Sequence, residues 1–315
     1  MTYRILPLLL SLLLTSIAGS IHAQTPLAFV TNNPSDYWKL CRKGTEAAAK
    51  HLGTVSVKFV MPEDGTAATQ EKDIDELLAH GIRGIAISPV DPQNETPFLN
   101  SVAKKAALIT SDSDAAESHR LCYIGTDNRA AGNMAGRLIK AALPHGGQIM
   151  LFVGYQAAQN ASEREKGIRE VLRGTNITVL GVLEDNADQL SARKNATAVL
   201  LQHPHIAALV GLWSYNGPAI LGAVRESGKT GKVKIVCFDE ELDTMSGIRS
   251  GEIYATVVQQ PYLLGYQSIL LLARIARGDK SGIPSNRRIV VPTLAIKRNN
   301  VNAYLKHQKL LLSGS

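Results

Sequence analysis

"LAFVTNNPSDYWKLCRKGTEAAAK", residues Leu27 to Lys50, decides how the rest of the chain is to be read. Leu27-Ala28-Phe29-Val30 is an apolar run with the length of a buried strand, and Thr45-Glu46-Ala47-Ala48-Ala49-Lys50 has helix-forming composition. A buried strand that passes straight into a helix is the first half of a βαβ unit. The join between them holds Asp36, Tyr37 and Trp38, although aromatics make up only 5% of the 315 residues. Two aromatic rings side by side at a strand-to-helix turn call for a physical reason.

Downstream of this stretch the same alternation repeats. Short apolar runs, among them "VSVKFV", "GIAIS", "AALITS", "LCYIG", "QIMLFVG", "ITVLGVL", "AALVGLW", "KIVCFD", "YATVVQ" and "RRIVVP", read as strands. Between them "QEKDIDELLAHG", "AAGNMAGRLIKAAL", "EREKGIREVLRG", "LSARKNATAVLLQHP" and "NGPAILGAVRESG" place apolar residues at helical spacing and mostly end at Gly or Pro. With the first run this makes eleven strands, more than a twisted open sheet usually holds, so two sheets are expected. The predicted fold class is α/β, with two doubly wound lobes covered by helices on both faces.

The N-terminus has a different character. Residues 1–23 carry one early charge, Arg4, then the apolar run "ILPLLLSLLLTSIAG" and small residues before a cut after Ala23, the pattern of a secretory signal peptide. The run is shorter than a bilayer span needs, and no later stretch is long enough, so a soluble exported chain is expected. Cys41, Cys122 and Cys237 are odd in number and far apart, which argues against a disulfide framework or a zinc site. Cys122 and Cys237 read as small core hydrophobes in strands. The formal charge of +7 is mild and scattered, which argues against a nucleic-acid partner. No GxGxxG follows the first strand, "GKTGK" lacks phosphate-loop spacing, and no carboxylate run has calcium-loop spacing. Neither cofactor nor metal is expected.

In doubly wound sheets ligands bind beyond the carboxyl ends of the strands. There the sequence places Asp36, Tyr37 and Trp38; Asp112 and Asp114; Asn160 and Arg164; Asn216; Asp239; and Gln259. Carboxylates accept, Arg donates a planar fork and amides do both, a set suited to a ligand rich in hydroxyls. Each has a plainer reading. Asp112, Asn216 and Asp239 could cap helices, Tyr37 and Trp38 could fill the gap between helix and sheet, and Arg164 could pair with Glu163 or Glu165 on a solvated face. Capping alone does not explain Arg, Gln and two aromatics at equivalent strand ends.

The layout resembles the periplasmic sugar-binding proteins of type I fold, the ribose-binding-like receptors of ABC importers. The resemblance runs from about Pro26 to Leu305 and rests on "NNPSDYWKLCRKGTEAAAKHLG", "LLAHGIRGIAISPVDP", "ITSDSDA", "YIGTDNRAAGNMAG", "NASEREKGIREVL", "GLWSYNGPAILGAVRESGKTGKVKIVCFDE" and "GEIYATVVQQPYLLGYQSI" in that order. It implies two lobes joined by a three-segment hinge near Gly125-Thr126-Asp127, Val258-Gln259-Gln260 and Val291-Pro292. The N-terminal lobe would comprise 25–126 plus 260–290, the C-terminal lobe 127–259 plus 291–305, and 306–315 a tail. It also implies that Tyr37 and Trp38 stack on a sugar ring, and that Asp112, Arg164, Asn216, Asp239 and Gln259 bind its hydroxyls, with Asp36 and Asp188 close by.

Two departures bear on the ligand. Ribose receptors follow the first-lobe Asp with Arg, where this chain has Ser113 and then Asp114, and the Asn before the aromatics is replaced at Ser35-Asp36. A monosaccharide or polyol other than ribose is therefore implied. The expected partners are that ligand and a membrane permease, for a periplasmic monomer that is not an enzyme. A receptor feeding a membrane sensor for chemotaxis or two-component signalling is the alternative output. An enzyme that processes sugars, with Asp112 and Asp239 as its carboxylate pair, is the alternative from another class.

Overall fold

The computed structural model describes residues 24–35 and 37–313. The expected leader at 1–23 and the candidate Asp36 lie outside the described residues. The first lobe is built from β1 (Thr25–Val30), α1 (Tyr37–Leu52), β2 (Val55–Val60), α2 (Ala67–Ala79), β3 (Gly84–Ile87), α3 (Thr96–Val102), β4 (Ala107–Ser111) and β5 (Tyr123–Gly125). The chain then runs through α4 (Asn128–Ala142), β6 (Gly147–Val153), α5 (Gln159–Leu172), β7 (Ile177–Glu184), α6 (Gln189–Gln202), β8 (Ala208–Gly211), α7 (Asn216–Glu226), β9 (Lys234–Phe238), α8 (Leu242–Ser250) and β10 (Ala255–Val258). It closes with α9 (Pro261–Ala276), β11 (Arg288–Val290), β12 (Leu294–Ile296) and α10 (Val301–Ser313).

Two six-stranded sheets result, ordered β11-β5-β4-β3-β1-β2 and β12-β10-β9-β8-β6-β7. All pairs are parallel except β10 with β12. The central strands β3, β8 and β10 are buried along their whole length, as strands covered on both faces must be, whereas the edge strand β2 is only partly buried. The two sheets repeat one order, so β4 of the first lobe corresponds to β9 of the second and β5 to β10.

The lobes exchange a helix. α4, which follows the last consecutive strand of the first sheet, packs on α5, β9 and β10 of the second lobe. α9, which follows β10, returns to pack on α1, β1, β3 and β4. Each exchange brings two backbones into contact. A Cβ on Gly132 would overlap the carbonyl of Arg164, and one on Gly265 would overlap the carbonyl of Cys41. The chain therefore crosses between lobes at 126–127, 259–260 and 291–293, where the three-segment hinge was expected.

Three expectations need correction. β12 is not among the eleven expected strands: it has three residues, and Leu294 is exposed, so it offers no buried apolar run. Cys122 is buried but sits just before β5 rather than in it. The segment expected to begin a tail at 306 continues α10, which starts at the buried Val301 and runs to Ser313.

Candidate functional site

A cavity of about 430 Å³ opens between the lobes. Tyr37, Trp38 and Asp112 line it from the first lobe, and Asn160, Arg164 and Asp239 from the second, with Gln259 at a hinge crossing. It also takes in Trp213, Tyr215, Gln189 and Glu241, which the sequence reading did not single out.

The two aspartates occupy matched positions after β4 and β9, and both have left-handed backbone, with φ of 67° at Asp112 and 65° at Asp239. Non-glycine residues pay a steric cost there and hold it only where the surroundings fix them. The neighbouring strands do this alike in the two lobes. Asp112 N–H donates to Ile124 O at 3.2 Å and its carbonyl accepts from Tyr123 Oη at 2.9 Å. Asp239 N–H donates to Val257 O at 2.9 Å and its carbonyl accepts from Thr256 Oγ1 at 2.8 Å. Tyr123 Oη also reaches Thr126 O at 2.8 Å, which ties the Asp112 backbone to the first hinge crossing. Neither aspartate caps a helix: the cap of α8 is Glu241, and no helix lies between β4 and β5.

The side chains carry the chemistry. Asp112 accepts from Ser88 Oγ at 2.9 Å and, at a long 3.5 Å, from Tyr37 Oη. Asp239 accepts from Gln259 Nε2 at 2.8 Å. Burial raises both carboxyls above their ordinary value, Asp239 to about 6, while the Arg164 guanidinium pulls each back down. Burial, then the Asp112 carboxylate, raises the Tyr37 hydroxyl, so it stays a proton donor.

Arg164 lies on α5, brought close by Gly132, and is only 1% exposed. Its guanidinium carbon sits 4.4 Å from the centre of the Phe238 ring, and it donates to Asn128 Oδ1 at 3.0 Å and Leu212 O at 2.6 Å. It forms no direct ion pair with Asp112 or Asp239, and its buried Nη2 has no partner among the described residues. The solvated-face reading fails here: Glu163 pairs with Lys166, and Glu165 with Arg169.

The opening aromatics serve two ends. Trp38, 1% exposed, packs in the core with Phe29 at 5.9 Å and Tyr37 at 4.9 Å and also lines the cavity. A second aromatic wall comes from the other lobe. Trp213 stands over Gly154, where a Cβ would overlap its indole, and its Nε1 donates to Asn160 Oδ1 at 3.2 Å.

Three candidates do not line the cavity. Asn216 is fully buried behind the wall: its Oδ1 accepts from Trp213 N–H at 3.0 Å and its Nδ2 donates to Asp185 Oδ2 at 2.9 Å. Asp185, whose Oδ1 also takes the Tyr215 hydroxyl at 2.5 Å, is therefore the buried acidic group of "EDNADQ". Asp188 is exposed and caps α6 by accepting from Ser191 N–H at 2.7 Å, because left-handed Asn186 and Ala187 turn it outward. Asp114 does not face the cleft either. It holds Arg120 in a buried bidentate pair, with Nε–Oδ1 at 2.5 Å and Nη2–Oδ2 at 2.7 Å, and Arg120 in turn reaches Arg287 O at 3.2 Å. Sequence signals existed for Trp213 and Tyr215: "GLWSYN" repeats the opening pattern of a buried strand followed by aromatics.

A family model described as "Periplasmic binding protein domain" matches residues 27–280. The chain is 26% identical over 283 residues to the ribose import binding protein RbsB of Haemophilus influenzae, covering 87% of this chain and 94% of that one. It is 24% identical over 282 residues to the D-allose-binding periplasmic protein of Escherichia coli, covering 86% and 90%. Among solved structures, an ABC transporter solute binding protein from Burkholderia graminis in complex with D-arabinose has a TM-score of 0.85 at 27% identity, over 90% of this chain and 98% of that chain.

Proposed function

Because the chain belongs to the periplasmic binding protein family, we propose that it captures a monosaccharide or related polyol between its lobes and delivers it to the permease of an ABC importer. The observation that carries this reading is a buried arginine donor left without a partner among the groups that line the cleft. Arg164 Nη2 is buried without a partner in a cavity that two buried carboxylates at matched strand ends and aromatic side chains from both lobes also line. A ligand hydroxyl both donates and accepts, so it can satisfy the arginine and a carboxylate together, while ring carbons lie on the aromatic faces.

Tyr37, Trp38 and Asp112 dock the ligand on the first lobe. Arg164, Asp239 and Gln259 close over it as the three crossings bend. Ligand contacts that exist only in the closed form shift the population toward it, and that form is what the permease reads. Asp112 and Asp239 act as hydrogen-bond acceptors rather than as a catalytic pair. The protein works as a monomer in the periplasm, with residues 1–23 as its export leader. None of the described helices is long and apolar enough to cross a membrane.

The test is thermal unfolding of the ligand-stripped protein against pentoses, hexoses and polyols. A ligand that binds only the native state raises the midpoint by mass action. The reading predicts a rise with at least one compound, lost in Asp239→Ala. A rise that survives both Asp239→Ala and Trp38→Ala would move the binding site out of this cleft.

A further inference from the structure

Resting on the reading of the cleft as a site for a polyhydroxylated small molecule, the balance of charge and hydrogen bonding inside it narrows the ligand. We infer that this ligand carries a protonated amine beside its hydroxyls, as an amino sugar or an amine-bearing polyol does.

Two buried carboxylates, those of Asp112 and Asp239, line the cavity against one cation, Arg164, and no lysine or histidine lines it among the described residues. Asp112 and Asp239 are 5% and 3% exposed, so the inner wall has one negative charge in excess and little water to solvate it. Closing over a neutral molecule would dehydrate that charge without compensation, a costly outcome. Protonating a carboxylate is the other escape and burial favours it, while Arg164 and the local hydrogen bonds act against it. Asp112 takes donors from Ser88 and Tyr37, and Asp239 takes one from Gln259, all of which favour the ionised form.

Gln259 must turn its Nε2 toward Asp239, which can only accept, and this leaves its Oε1 as a buried acceptor with no partner. Among the cavity-lining groups, Gln259 Oε1 and the Asp239 oxygen that Gln259 does not hold are open acceptors, and Trp38 Nε1 and Arg164 Nη2 are open donors. An ammonium brings three donors and no acceptor, which serves Gln259 Oε1 and the two inner carboxylates at once. The rings of Tyr37, Trp213 and Tyr215 give the same cation favourable faces. A ligand hydroxyl oxygen remains for Arg164.

Calorimetric titration tests this with 2-amino-2-deoxyhexoses and 1-amino-1-deoxyalditols, each beside its neutral parent and its uncharged N-acetyl form. The expected result is an amine that binds about tenfold or more tighter than both counterparts, the scale of one added charged hydrogen bond. That preference should fall in Asp239→Asn, with circular dichroism checking the fold. A neutral parent that binds as tightly as its amine overturns the inference and leaves the sugar reading standing. Failure of every compound, charged or neutral, overturns both.

Discussion

Asp239→Asn separates what the cleft does for binding from what it does for stability. Burial holds the Asp239 carboxyl at about 6 against a usual 3.8, a gap of about two units, or roughly 3 kcal/mol of penalty on the charged form. A raised carboxyl binds its proton more readily in the folded state than in the unfolded state, so its penalty is absent below 3.8 and fully present above about 6. Asn keeps an acceptor for Gln259 Nε2 and tolerates the left-handed backbone that this position requires. The ligand-free variant should therefore be more stable than wild type at pH 7.5, by up to about 3 kcal/mol and a few degrees in Tm. That gain should shrink as the pH falls through 6 toward 4. Ligand affinity should fall about tenfold or more, because a charged acceptor is lost. Calorimetric unfolding at pH 7.5 and 4.5, with titration of the ligand, reads both effects. A variant that is less stable than wild type at pH 7.5 and still binds would show that the carboxylate is a structural fixture and refute the reasoning.

Elsewhere in the molecule the effects should separate differently. Asp114→Ala strips the partner from buried Arg120 and should cost about 3–5 kcal/mol in urea unfolding, with ligand affinity unchanged in the folded fraction. Trp213→Ala should weaken binding roughly tenfold with a smaller loss of stability, since the indole is only half-buried and one face lines the cavity. Gly132→Ala forces α4 away from the Arg164 backbone and should cost stability by about 1–3 kcal/mol and binding together, seen as a lower urea midpoint and a weaker titration.

The two-lobed fold was legible because central parallel strands are buried on both faces and so write continuous apolar runs into the sequence, such as "IAI" in β3 and "ALVG" in β8. Elements held by their neighbours were not legible. β12 has three residues, and α3 and α8 are short, so none carries a pattern of its own. Within the site, Asp112, Arg164 and Asp239 could be found because strand ends collect ligand groups. The distinction between Asp185 and Asp188 could not, since it depends on two left-handed residues between them that no residue type announces. Asn216 looked like a ligand group because its position is right; its side chain instead turns inward to Asp185 and the Trp213 backbone. The opening aromatics fit the gap-filling reading in that Trp38 packs in the core, and both Tyr37 and Trp38 also line the cavity.

Closure of two lobes on one small molecule is the central claim, and small-angle X-ray scattering of the ligand-stripped protein, with and without a compound that raises its melting midpoint, tests it most directly. The account predicts a smaller radius of gyration on saturation, with Asp239→Ala staying at the ligand-free value at the same concentration. A radius unchanged by a saturating ligand would contradict it.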